Sequence, residues 1–193
     1  MLPEQRFLRS TLFALLALLT GPLAGHSTVL QRLDLDDLTA QSSAVVHAEI
    51  VGKRAEWNES RNVIYTVYTV RPIEYLKGRL GPVFELHEPG GELDGLRMAI
   101  AAVPEFAVGQ EAVLFVWTDA RGKHQVIGFE QGSLAVRTDP QSGLKVVSRS
   151  VQLGSARTND AAGGGPASSR FLPLLFQQIR ASAAKAQQPG TPR

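Results

Sequence analysis

Cysteine is absent from this chain of 193 residues. Without a thiol the chain cannot form a disulfide, a thiolate nucleophile or a cysteine-ligated zinc site. Disulfides are dispensable at this length, since a domain of about 150 residues buries roughly 70% of its unfolded surface. Their absence therefore excludes small disulfide scaffolds and thiol enzymes, but not a folded domain.

The motifs of several common enzyme classes are also missing. Ser133 follows Gly132 but lacks the G-x-S-x-G elbow of serine hydrolases. The glycine run 163–165 is not followed by the Lys and Ser or Thr of a phosphate loop. His87 and Glu88 begin a zinc-peptidase motif, but Gly91 stands where the second histidine belongs. We expect a protein without catalytic residues or cofactor.

No strong excess of one charge is present, and the formal net charge is only +2. Residues 28–150 hold 13 Lys and Arg against 16 Asp and Glu, whereas residues 151–193 hold five basic residues and one acidic residue. The positive net charge of the whole chain thus comes mainly from the C-terminal segment. An acidic body argues against a nucleic-acid partner.

The longest apolar run lies between Thr11 and Leu23, short of the roughly 20 residues that cross a bilayer. Arg6 and Arg9 precede it, and small or helix-breaking residues follow it up to Ser27. This layout predicts a cleaved signal peptide over residues 1–27. We expect a periplasmic or secreted protein without stable membrane insertion.

The remaining pattern is mainly that of strands. Three aspartates, at 34, 36 and 37, predict the start of a short helix that ends near Ala40. Residues 44–51 alternate between apolar and polar, which places His47 and Glu49 on the polar face of a half-buried strand. Further strands are predicted at residues 63–70, 83–87, 112–117, 125–129, 133–136 and 144–147. The strand that begins at residue 63 is expected to end near Pro72, because proline cannot donate a hydrogen bond to a neighbouring strand. Six or seven strands joined by turns indicate an antiparallel barrel or sandwich over residues 28–152.

The composition changes again after this body. Residues 153–169 are rich in glycine and small residues and predict a flexible linker. Apolar residues then recur with a helical period, which predicts an amphipathic helix over residues 170–186 and a disordered tail over 187–193. This helix either packs on the barrel or docks a partner, and the docking candidates are Phe171, Leu175, Phe176 and Ile179.

Residues 44–136 resemble a β-barrel domain of exported bacterial proteins and, more distantly, the OB-type barrel of netrin-like, tissue-inhibitor-of-metalloproteinase domains. The resemblance implies a small OB-like barrel. Because this chain has no cysteine, the family's zinc-chelating inhibition does not carry over. The matching elements are the strand 45–51, Leu76-Lys77-Gly78, Gly90-Gly91, Phe106, Gly109, the strand 113–115, Gly128 and Gln131-Gly132.

Two metal sites remain as alternatives. His47, Glu49, His87 and His124 would form a zinc site only if barrel closure brought them together. A second group of carboxylates surrounds Gly90 and Gly91, where calcium is the functional interpretation and solvated turns are the favoured one. Its members are Glu88, Glu92 and Asp94.

Taken together, these patterns favour an exported, non-enzymatic barrel that binds a protein or peptide partner, with association with a protease as a variant suggested by the resemblance. The alternative from another class is a metal-binding protein or metal-dependent hydrolase that uses the scattered histidines. A structural protein of the envelope without a discrete ligand is the third possibility.

Overall fold

Five strands close into a barrel in the computed structural model, which describes residues 32–149 and 170–187. Two helices and five further strands surround or extend it. In chain order the elements are α1 (Leu35–Gln41), β1 (Ala44–Trp57), β2 (Ile64–Lys77), β3 (Phe84–Pro89), β4 (Gly91–Leu93), β5 (Leu96–Met98), β6 (Glu111–Thr118), β7 (His124–Val126), β8 (Ser133–Thr138), β9 (Lys145–Arg149), β10 (Arg170–Phe171) and α2 (Leu172–Ala186).

The barrel closes in the order β1-β2-β3-β7-β6 and back to β1. Every pair in this ring is antiparallel except β3 and β7, which run parallel and meet only at Leu86 and His124. The prediction of a mainly β fold with a small OB-like barrel, an N-terminal helix and a C-terminal helix is confirmed.

Strand β2 does not end at Pro72 as predicted but continues to Lys77. The register with β1 shifts between His47 and Ala48, where Ile73 of β2 is left without a partner. Such a bulge bends the strand, as a closed barrel requires. Pro72 is tolerated because β3 pairs with β2 only as far as Val70, so no neighbour on that edge needs its missing N–H.

Two apolar cores lie on opposite faces of the barrel wall. The inner core fills the barrel with side chains such as Ile50, Leu86 and Leu114. The outer core lies between the wall, both helices and the extension β8-β9-β10, and includes Val45 and Phe115. Strands β1 and β6 are therefore buried on both faces, and the predicted polar face of β1 is not solvated at His47, which is buried.

Helix α1 begins as the aspartates predict. Asp34 is its N-cap and accepts a hydrogen bond from the Asp37 N–H, while the Asp37 carboxylate accepts one from the Asp34 N–H. At the other end, the Lys77 ammonium donates to the carbonyls of Thr39, Ala40 and Ser42. Each end of the helix thus has partners for its free backbone groups.

Helix α2 confirms the predicted amphipathic stripe and decides between its two uses. Leu175, Phe176 and Ile179 are buried in the outer core, so they are not available for docking and that interpretation of them is wrong. Phe171 precedes the helix in β10 and is 45% exposed. The helix shares a core with the barrel and is not a separate unit.

The predicted signal peptide (1–27), the linker (153–169) and residues 188–193 of the tail lie outside the described residues. Within the ranges 32–149 and 170–187, neither helix has the length and apolarity needed to cross a membrane.

Candidate functional site

A cleft of about 920 Å³ opens at one end of the barrel. Its floor is formed by the inner faces of β1, β2 and β3, where Lys53 pairs with Tyr68, and Thr66 pairs with Glu88 across the sheet. Its other wall is formed by the β4–β5 hairpin and the segment 99–105. The cleft is therefore continuous with the barrel interior, where a ligand can contact residues of the inner core.

The β4–β5 hairpin was missed in the sequence, although Asp94-Gly95 between two leucines is a strong hairpin signal. Both residues have positive φ, as this two-residue turn requires. Gly91 allows the hairpin to lie close to β2, because a Cβ there would be 2.5 Å from Thr66 Oγ1. At the tip, Trp57 Nε1 donates to Asp94 Oδ2 at 3.0 Å. These contacts fix the hairpin as a wall of the cleft.

Glu88 is the least expected residue of the cleft. It lies on the inner face of β3, is 3% exposed, and its Oε1 accepts a 2.7 Å hydrogen bond from the Val126 N–H. Within the described chain, Oε2 has no hydrogen-bond partner. Burial raises the pKa of this carboxyl to about 8, although the Val126 N–H partly opposes that effect. Glu88 is therefore mostly protonated at neutral pH.

The interpretation of Glu88 as a solvated turn residue is thus wrong. The signal was present, because Phe84, Leu86 and Glu88 alternate in one strand and so share its inner face. Glu92 and Asp94 are exposed, and Asp94 is bound to Trp57. The three carboxylates do not form a calcium loop.

Tyr68 lies beside Glu88 on the floor. Its hydroxyl accepts a hydrogen bond from the Phe106 N–H at 3.3 Å, and its ring contacts the Phe106 ring edge-on. Burial raises the pKa of the Tyr68 hydroxyl, and the charges of Glu105 and Glu88 add to that effect. Lys53 Nζ lies 5.6 Å from the centroid of the Tyr68 ring, and Tyr68 is only 1% exposed. An ammonium group of the chain itself thus already lies over this ring.

The segment 99–105 presents much of its main chain unpaired. Within the described chain, residues 101–102 form a turn, and apart from that turn the main chain of residues 100–105 makes one hydrogen bond, in which the Glu130 N–H donates to the Ala102 carbonyl. Ala102 has a φ of 63°, which is unfavourable for a residue with a Cβ. Ile100 exposes its apolar side chain at the same rim. Open backbone donors and acceptors next to apolar side chains are typical of a surface that binds an extended chain.

Acidic groups predominate among the free charges of the cleft. Arg54 is held by a bidentate pair with Glu85, donating at 2.7 and 3.0 Å, and has Glu56 at 3.4 Å. The remaining charged residues that line the cleft have no ion pair within the described chain; they are Lys53, Glu88, Glu92, Arg97, Glu105 and Glu130. Four carboxyl groups, of which that of Glu88 is mostly protonated at neutral pH, therefore face two cationic groups.

The four residues proposed as metal ligands do not converge. His47 lies under α2, with its ring 5.5 Å from that of Phe176 and its Nε2 3.0 Å from Glu111 Oε2. Lys145 also pairs with Glu111. The hydrogen bond from Lys145 and, to a smaller extent, that from His47 lower the pKa of the Glu111 carboxyl. Glu49 pairs separately with Arg71 at 2.6 Å.

The other two histidines lie in different surroundings. His87 lies between Glu56 and Glu85, at 3.6 and 3.8 Å, and burial lowers the pKa of its imidazole. His124 Nδ1 is 2.9 Å from Thr118 Oγ1. In the residues that the structure describes, no three His, Asp or Glu side chains are arranged to hold a metal ion.

Comparison with known proteins gives no relative from which a role for this cleft can be taken, since no family model and no curated protein matches the sequence.

Proposed function

We propose that the protein is an exported binding protein, without catalytic activity of its own, and that its barrel-mouth cleft holds an extended segment of a protein or peptide partner. The observation that carries this proposal is the unpaired main chain of residues 100–105 along one wall of the cleft. Most of these residues are exposed or half-buried, so their backbone groups bind water in the free protein, and an extended peptide can replace that water with donors and acceptors of its own.

The side chains around this wall support a peptide over a small apolar ligand. Ile100 offers an apolar contact at the rim, whereas the floor is polar around Glu88, Tyr68 and Thr66. A volume of about 920 Å³ is at the upper end of the range for small-molecule sites. A chain that alternates apolar and polar side chains fits such a surface, because successive residues of a strand point to opposite sides.

Export is part of the proposal on sequence grounds alone, from the basic, apolar and small-residue regions within residues 1–27. The acidic body favours a partner segment that carries positive charge. A zinc-dependent function has no comparable support, since His47, Glu49, His87 and His124 each contact different partners.

Fluorescence anisotropy with a panel of random decapeptides, labelled at the carboxyl end, tests this proposal on the purified protein. We expect saturable binding by a subset of the panel. Ile100→Ser should weaken that binding about fivefold, because it removes an apolar contact at the rim. The matched control is Val83→Ser. Val83 is a similarly exposed apolar residue (50% against 40% for Ile100) and directly precedes β3, at the end of that strand away from Glu88. This variant should bind the peptides as the unmodified protein does.

Two results would contradict the proposal. One is the absence of saturable binding by any peptide in the panel. The other is an equal loss of affinity in both variants, which would place the bound peptide elsewhere on the surface.

A further inference from the structure

The structural role of Glu88 does not explain why position 88 has a carboxyl group and not an uncharged amide. The parallel pairing of β3 with β7 is a single residue pair, Leu86 with His124, so the barrel is weakly closed there. Glu88 Oε1 bridges this gap by accepting the Val126 N–H. A glutamine side chain has the same length and also offers one carbonyl oxygen. Closure of the barrel thus needs an acceptor but no charge.

Ionisation of Glu88 at neutral pH requires a cation that the described chain does not place next to it. A buried carboxylate without a counter-charge is costly, which is why its pKa is raised. Lys53 lies over the ring of Tyr68 and forms no ion pair with Glu88 within the described chain. The titratable groups on the elements around Glu88 are Lys53 on β1, Tyr68 on β2, Glu92 on β4, Arg97 on β5, Glu105 in the segment 99–105, His124 on β7 and Glu130 in the turn 129–132.

We propose that the cleft recognises a primary ammonium group of the bound segment, with the Glu88 carboxylate as its counter-ion. This inference rests on the proposed function and names the chemistry of the partner. The ammonium group comes either from a lysine side chain or from a free amino terminus.

The number of free oxygens on Glu88 favours ammonium over guanidinium. Val126 occupies Oε1, which leaves Oε2 for the ligand. Arginine binds a carboxylate best through two parallel hydrogen bonds to both oxygens, whereas an ammonium is a point charge that one oxygen satisfies.

Four versions of one cleft-binding peptide separate the two sources of the ammonium group. The first has a single lysine and an acetylated amino terminus, and the second has a free amino terminus and no lysine. The third has neither, and the fourth carries arginine in place of the lysine. We expect the first or the second to bind at least tenfold more tightly than the third and the fourth.

Variants of the protein then test the residues. Above pH 8, where Glu88 is mostly ionised, Glu88→Gln keeps the acceptor for Val126 and should weaken binding of the ammonium peptide roughly thirtyfold, since a buried charge pair is lost. Glu92→Gln changes an exposed carboxylate of the same cleft and should change affinity less than twofold. Lys53→Met removes a positive charge that lines the same cleft and repels the ligand ammonium, and should raise affinity about fivefold. A purely structural role of Glu88 would produce none of this pattern.

The pH profile supplies a further readout. Binding favours the ionised form of Glu88, so affinity should rise with pH, by about thirtyfold in total, and level off above pH 8. Above that pH an amino-terminal ligand loses its own proton near pH 8, whereas a lysine side chain keeps it to about pH 10. The upper limb of the profile thus identifies the source of the ammonium group.

Equal binding of all four peptides, or full affinity in Glu88→Gln, would overturn the inference. If those peptides still depend on Ile100, the cleft binds peptides by other contacts and the proposed function stands. If they do not depend on Ile100, both proposals fail.

Discussion

A carboxyl group inside a barrel makes the stability of the fold depend on pH. Glu88 is 3% exposed, and its pKa of about 8 lies well above the ordinary value of 4.5. Between these two values the folded protein keeps a proton that the unfolded chain releases. The contribution of Glu88 to stability is therefore greatest below pH 4.5 and is lost as the pH rises towards 8.

Glu88→Gln should remove this dependence. The variant should match the unmodified protein near pH 5 and be more stable by about 3 kcal/mol at pH 8, because glutamine carries no charge to bury. Urea denaturation of both proteins from pH 5 to pH 8 measures the difference in the free energy of unfolding. Because all other titrating groups are the same in both proteins, their contributions cancel when the two free energies of unfolding are subtracted at each pH.

The companion variant Glu88→Ala separates the hydrogen bond from the charge. It leaves the Val126 N–H without its acceptor and should be destabilised even at pH 5, by about 1–3 kcal/mol. A constant difference between Glu88→Gln and the unmodified protein over the whole pH range would contradict the assigned protonation of Glu88.

Helix α2 belongs to the fold because its apolar stripe completes the outer core. Ile179 is fully buried there, while Leu174 on the same helix is 55% exposed. The helix also contacts the body by ion pairs from Arg180 to Glu74 and from Lys185 to Asp36. These pairs are exposed and contribute little, so the apolar contacts dominate the stability of this element.

Ile179→Ala should therefore lower the free energy of unfolding by about 2–5 kcal/mol, as expected for a truncated core side chain. Leu174→Ala is the matched control and should change it by less than about 0.5 kcal/mol. Thermal or urea unfolding of both variants in the full chain checks this. A similar small effect for both would mean that α2 is not part of the cooperative fold.

The elements differ in how far the sequence predicts them. The helical stripe of α2 and the capping aspartates of α1 are local patterns, and both are observed. The continuation of β2 through Pro72 depends on which edges are paired, which only the assembled barrel determines. The β4–β5 hairpin was predictable from Asp94-Gly95, but its place over the cleft was not.

At the scale of the whole molecule, the barrel wall separates two apolar cores and leaves one open end. The periodicity of single strands predicts one buried face, so burial of both faces of β1 and β6, and with it the position of His47, could not be deduced from alternation alone. The cleft likewise combines residues from β1 to the turn 129–132, which no local pattern joins. The identity of Glu88 as an inner-face residue was predictable from its strand, whereas its lone hydrogen bond to Val126 was not.

The most direct test of the central claim is a carbon-13 NMR titration of the Glu88 side-chain carboxyl group in the full chain, with and without the lysine-containing peptide. We expect a pKa of about 8 in the free protein. In the complex that pKa should be lower by about 1.5 units, the equivalent of a thirtyfold preference of the ligand for the ionised form. A pKa near 4.5 in the free protein, or the same titration curve with and without the peptide, would contradict it.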